Sequence, residues 1–132
     1  MKVFIYAPDT SASYYFRAAL PKRFFDRHPE LGCEVTVSHL LPSPKEGYDV
    51  LQVVWTAADA RQVPLLWLSE WKDRGCALVA DCDDLVFRPP NWHPFLSRWL
   101  LAPVQKFYRD LHAMADLITT TSETLAERLS GL

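Results

Sequence analysis

Glycine is scarce in this chain, four residues in 132, and the shortage has a chemical meaning. A dinucleotide cradle needs Gly-x-Gly-x-x-Gly between a strand and a helix, so that backbone can approach a pyrophosphate. No such pattern occurs, which argues against NAD or FAD. Cysteine is equally sparse. Cys33, Cys76 and Cys82 are odd in number and lack metal-ligand spacing, so neither a disulfide framework nor a zinc site is expected. Two of them fall in predicted strands or their ends, and the three read as reduced, mostly buried thiols of a cytoplasmic protein. Long apolar runs are missing: none approaches the ~18 residues that a membrane span requires. The opening Met1-Lys2-Val3-Phe4-Ile5-Tyr6-Ala7 stays apolar too briefly before Pro8-Asp9 to be a signal core. No charge dominates either. A net charge of -2 and a pI near 6.0 give no overall electrostatic footprint for nucleic acid or an anionic membrane.

What is abundant is aromatic and apolar material, with five Trp, five Tyr and seven Phe in a chain the size of one domain. Five short apolar runs recur between longer amphipathic stretches: Val3-Phe4-Ile5-Tyr6, residues 33–38, residues 48–55, Ala77-Leu78-Val79-Ala80 and residues 117–121. Bounded by turn residues and enriched in β-branched side chains, they predict strands. Helical spacing fills the gaps. Phe16, Leu20 and Phe24 lie four apart, with Pro21 expected to kink or restart the helix. Val63, Leu66, Trp67 and Trp71 make a second stripe, and Val104, Phe107, Tyr108, Leu111 and Ala115 a third. A last helix is expected from a Ser122 cap. Residues 39–47, with Pro42 and Pro44, read as a loop.

Strand-helix alternation of this kind predicts an α/β fold, a Rossmann-like, mainly parallel five-stranded sheet in the order 3-2-1-4-5, flanked by helices across residues 1–132. Ligands of such sheets bind beyond the carboxyl ends of the strands, near the reversal in strand order. Residues 7–14, 55–59, 81–93 and 120–123 therefore bound any site.

Within those limits, Asp81-Cys82-Asp83-Asp84 is the densest cluster. Three neighbouring carboxylates cannot all be buried and ionised without partners, so hydrogen bonds, a cation such as Arg17 or Arg88, or solvent must relieve them. They serve either as capping aspartates of a solvated loop or as a polar cluster in the cleft, where a carboxylate orients a hydroxyl-rich substrate or binds a metal. The first loop, with Asp9, Thr10, Ser11, Ser13, Tyr14, Tyr15 and Arg17, has side chains suited to sugar or phosphate. Of the four histidines only His93, in Pro89-Pro90-Asn91-Trp92-His93-Pro94, falls near the predicted cleft. No Gly-x-Ser-x-Gly and no histidine at a nucleophile's spacing appear, so no catalytic residue is assigned.

Three segments together resemble GT-B glycosyltransferases of the large retaining group that uses nucleotide-sugars. Ser13-Tyr14-Tyr15-Phe16-Arg17 with Leu20-Pro21 is similar to the family's first-helix pattern. Leu78-Val79-Ala80-Asp81-Cys82-Asp83-Asp84-Leu85-Val86-Phe87 looks like the strand and Asp-x-Asp-Asp loop of a bacterial and phage subset. Ala115-Asp116-Leu117-Ile118-Thr119-Thr120-Thr121-Ser122-Glu123-Thr124-Leu125-Ala126 is close to the signature of alanine-aspartate, strand, threonine-serine-glutamate, leucine-alanine. The resemblance covers nearly the whole chain and implies the acceptor-side, N-terminal half of such an enzyme. It makes Asp81, Asp83, Asp84, Tyr14, Arg17, His93, Ser122 and Glu123 the acceptor-binding candidates.

The resemblance implies no metal and no resident cofactor, only a nucleotide-sugar donor for the full enzyme. That donor would be held by a C-terminal domain or a partner chain not represented in these residues, so residues 1–132 alone are expected to be inactive. Homo-oligomerisation is a further expectation, with Trp92, Phe95 and Trp99 as contact candidates; nucleic acid is not an expected partner. A binding or assembly module of the same fold is the alternative. The stretch around Asp81 is also similar to the haloacid-dehalogenase phosphatase motif, which would make Asp81 the nucleophile and Asp83 the general acid, with Leu85 where that motif has Thr.

Overall fold

In a computed structural model, which describes residues 1–8, 12–54, 65–83, 91–92 and 101–130, the chain is an α/β domain with a five-stranded, wholly parallel sheet. The strands are β1 (Lys2–Tyr6), β2 (Glu34–Ser38), β3 (Val50–Val54), β4 (Ala77–Cys82) and β5 (Leu117–Thr120). All five lie where the short apolar runs place them. Helical segments are α1 (Ala12–Tyr14), a π-turn (Tyr15–Ala19), α2 (Leu20–Arg27), α3 (Leu65–Asp73), α4 (Ala102–Met114) and α5 (Glu123–Ser130).

The strand order is β2-β1-β3-β4-β5 rather than the expected 3-2-1-4-5. β4 pairs with β3 (Val53 opposite Ala80), and β1 lies between β2 and β3. The strands' own polarity explains the difference. β2 alternates in polarity and exposes Glu34, so it tolerates an edge. β3 buries Leu51 and Val53 completely and needs a neighbour on each side. The connection between them turns through Pro44–Glu46, capped by Ser43 and Glu46, and delivers β3 across β1. Removing the outer strand from the order 3-2-1-4-5-6 leaves this same arrangement after renumbering, so the reversal beside β1 is kept.

Side chains alternate across the sheet and build two cores. Phe4, Tyr6, Leu51, Val53, Leu78 and Ala80 face Leu68 and Trp71 of α3 and Val104, Phe107, Tyr108 and Leu111 of α4. The third helical stripe is thus buried as its spacing predicts. In α3 Trp71 is buried and Trp67 packs against the same core, as the stripe predicts, whereas Leu66 is 79% exposed and Leu68 is buried instead; Val63 lies outside the described residues. Cys82 packs with Leu125 and Leu129 of α5.

On the opposite face Ile5, Ala7, Val35 and Val54 pack against Ala18, Tyr14 and Phe25. Here the expected stripe fails: Phe16, Leu20 and Phe24 are 63%, 45% and 50% exposed. Pro21 supplies the reason. Without an N–H it cannot continue the α ladder, and the preceding turn widens, Leu20 N–H donating to the Tyr15 carbonyl five residues back. α2 restarts with Pro21 in its first turn, where the missing donor costs nothing. The wider turn faces small Ala18 to the sheet and leaves the large residues outside.

Candidate functional site

Each candidate is placed by the end of an element. Asp81 is the penultimate residue of β4, in register with Thr119 of β5, so both side chains leave the sheet on one face. That is the face covered by residues 12–27. Arg17, in the π-turn, reaches across it, and its Nη1 lies 3.1 Å from Asp81 Oδ1. Thr119 Oγ1 donates to the same Oδ1 at 2.5 Å. Two residues on, Asp83 Oδ2 accepts a hydrogen bond from Ser13 Oγ at 2.6 Å. The first loop and the acidic loop are therefore joined at the carboxyl edge, as the electrostatic argument requires.

Burial distinguishes the two carboxylates. Asp81 is 3% exposed, the one ionisable acid or base among the buried hydrophilic side chains described, whereas Asp83 is half-buried. Burial pushes the Asp81 carboxyl above its usual range; the Thr119 hydroxyl and the Arg17 guanidinium pull it back, and Asp83 adds to the rise. Arg17 is itself mostly covered, and its Nη2 is buried without a hydrogen-bond partner among the described residues. A stranded donor of that kind costs ~1–3 kcal/mol. The edge thus holds a buried ion pair, an unsatisfied donor and a more accessible carboxylate.

The other expected residues fare differently. Tyr14 is half-buried in the core beneath this helical segment, beside Ser13 but packed rather than presented. Ser122 caps α5, accepting from Leu125 N–H at 3.2 Å, and its carbonyl accepts from Thr120 Oγ1 at 3.0 Å. Glu123 is exposed in the first turn of α5, where its charge suits the helix dipole. Asp84, Arg88 and His93 lie outside the described residues, as do Asp9, Thr10, Ser11, Phe95 and Trp99. Trp92 is 80% exposed.

Thr119 is the residue that sequence reasoning missed as a site member. Its signal was available: in a parallel pair the residue opposite Asp81 shares its face. Two further titratable groups lie away from this edge. Burial pushes the Cys76 thiol up to about 11, and burial holds His112 below its ordinary value. All three cysteines are free thiols, and no cluster of metal-ligating side chains exists among the described residues. No described helix is long and apolar enough to cross a membrane. An open groove of about 690 Å³ lies between α2 and the edge strand β2, lined by Lys22, Phe25, Cys33 and Val35 among others. It shares no residue with the Arg17–Asp81 cluster.

A phosphatase role for Asp81 does not suit this geometry. A nucleophile must meet its substrate, and Asp81 is covered and held by Arg17 and Thr119.

No protein-family profile matches the chain, and no curated protein is significantly similar to it. Among solved structures the chain is similar to a conserved protein from Enterococcus faecalis V583, at 14% identity and a TM-score of 0.48, over 99% of this chain and 98% of that one.

Proposed function

We propose that this domain is the acceptor-binding half of a GT-B-type glycosyltransferase, forming one wall of a cleft in which a sugar is transferred from a nucleotide-sugar. One observation carries the reading. The three segments that resemble the family, far apart in sequence, are joined side chain to side chain at one carboxyl edge: Arg17 to Asp81, Thr119 to Asp81, and Ser13 to Asp83. Packing alone does not require these contacts to be polar.

The chemistry suits a polyhydroxyl ligand. Asp83 offers a carboxylate that is reachable from solvent and aligned by Ser13, able to accept from a sugar hydroxyl. The Arg17–Asp81 pair acts as a positioning unit, fixing the guanidinium at the edge without presenting Asp81 itself. No residue here is assigned to bond cleavage; that step belongs where donor and acceptor meet.

The test is binding. Amide spectra of residues 1–132 titrated with a panel of methyl glycopyranosides should show shifts at Ser13, Arg17 and Asp83, with millimolar affinity, because a single wall buries little of a ligand. Asp83→Asn should remove them. Glycosides that shift no resonance at this edge, or that bind Asp83→Asn equally well, would refute the acceptor reading.

A further inference from the structure

The outward face of residues 12–27 is left unused by the acceptor site. Phe16, Leu20 and Phe24 form an exposed row, and Tyr15 is 43% exposed beside them. A helix that opens α/β packing normally turns such residues inward. Here Ala18 occupies the inward position with no exposure at all, so the row lies at the outside of this domain's core.

Charge accompanies the row. Residues 12–27 contain four basic side chains and one acidic, in a chain whose net charge is -2. Arg17 is spent on Asp81 and Lys22 on Asp26. Arg23 and Arg27 remain exposed on the apolar side, with no carboxylate partner among the described residues; Arg23 lies over the Tyr15 ring, 5.8 Å from its centroid. The overall acidic balance therefore conceals one face that is both apolar and cationic.

We infer that this face docks on an anionic lipid surface, with the helical segment lying in the plane of the headgroups. An amphipathic helix with large apolar residues on one side and Arg on its flanks is suited to that position. The arginine stems can cover apolar surface while their heads meet lipid phosphates. A second copy of the chain fits poorly: two-fold pairing through this row would set Arg23 and Arg27 against their own equivalents. The inference is independent of the acceptor reading, since none of these outward side chains touches Ser13, Asp81 or Asp83.

Co-sedimentation of the full 132-residue chain with vesicles tests it. Phosphatidylcholine mixed with phosphatidylglycerol should retain roughly tenfold more protein than phosphatidylcholine alone, and added salt should erase the difference. Phe16→Ser/Phe24→Ser should abolish binding, and Arg23→Glu/Arg27→Glu should abolish the preference for phosphatidylglycerol. Thermal melts of both variants should match the unmodified chain; Leu20→Gln alone serves if either pair fails to fold. Three results would overturn the inference: no binding to anionic vesicles, binding that survives both pairs of substitutions, or light scattering that shows a dimer dissolved by Phe16→Ser/Phe24→Ser.

Discussion

At the amino end of the sheet, Asp49 and Asp116 immediately precede β3 and β5 and bond to backbone. At the carboxyl end, Asp81 and Asp83 close β4 and bond to side chains. The amino-end pair repeats one device. Asp49 N–H donates to the Lys2 carbonyl while Lys2 N–H donates to Asp49 Oδ2 at 2.7 Å. Asp116 N–H donates to the Leu78 carbonyl while Leu78 N–H donates to Asp116 Oδ2 at 2.8 Å. Each aspartate stitches its strand to the neighbour. Lys72 adds a bond to Asp116 at 2.7 Å, and hydrogen bonds from Lys72 and Leu78 hold that carboxyl below its usual range.

At the carboxyl end the same side chain type meets another environment. Its partners come from the helix and from β5, and burial raises Asp81 where bonding lowers Asp116. Acidic residues at the two ends of one sheet thus do different work: the first pair serves the fold, while the second leaves an aligned carboxylate and an unsatisfied guanidinium nitrogen at an edge.

The sharpest way to test the contrast is to remove the cation. Arg17→Met leaves Asp81 almost fully buried without its countercharge and should cost ~3–5 kcal/mol near neutral pH. The sign follows from the raised carboxyl: a folded value above the unfolded one favours folding at low pH and is lost as pH rises through it. The variant should therefore recover stability on acidification, and Arg17→Met/Asp81→Asn should be more stable than Arg17→Met at pH 7. Urea unfolding across pH measures both; a small, pH-independent loss would show that the pair is not the buried unit described.

Ser122→Ala comes next in size. Loss of the α5 cap should cost about 1 kcal/mol and leave glycoside binding untouched; a binding defect in a variant with a normal melt would return Ser122 to the site. Asp116→Asn should lower Tm at neutral pH by a smaller amount, because the carboxylate is exposed. That carboxyl is depressed in the fold, so its contribution is present above the unfolded value and disappears as pH falls through the folded one. Melts of the variant and the unmodified chain should converge in acid; a constant gap would assign the effect to something other than the Lys72 and Leu78 bonds.

Asp83→Asn should move stability least, within ~0.5 kcal/mol, while removing glycoside-induced shifts at Ser13. It separates the ends most cleanly, since Asp116→Asn is expected to do the reverse. Should Asp83→Asn destabilise strongly with no change in binding, both ends would be structural.

The resemblance signature looks different in this light. Ala115-Asp116 begins β5 by binding the β4 backbone, and Ser122 begins α5 by binding Leu125 N–H. Much of the most specific-looking stretch is thus explained by joining a strand to its sheet and a helix to its cap. Only Thr119 within it reaches the polar cluster.

Local pattern was enough for the elements: alternation and turn residues placed five strands, the spacing of Val104, Phe107, Tyr108 and Leu111 placed a buried helix face, and Ser122 marked a helix start. These depend on interactions within a few residues, which a linear chain states directly. That the segment after β1 would meet the acidic end of β4 was legible too, because parallel strands all end at one edge. Strand order was not, since residues 39–49 connect β2 to β3 on either side of β1 with equal ease locally, and only the burial of Leu51 and Val53 between two neighbours selects the outcome. Nor could periodicity orient residues 12–27. A repeat of four names Phe16, Leu20 and Phe24 as one face but not which way it turns; the widened turn before Pro21 and the close fit of Ala18 against β1 decided that. The charge state of Asp81 is a property of the same assembly, because its burial and its partners Arg17 and Thr119 come together only when helix, β4 and β5 share one face of the sheet.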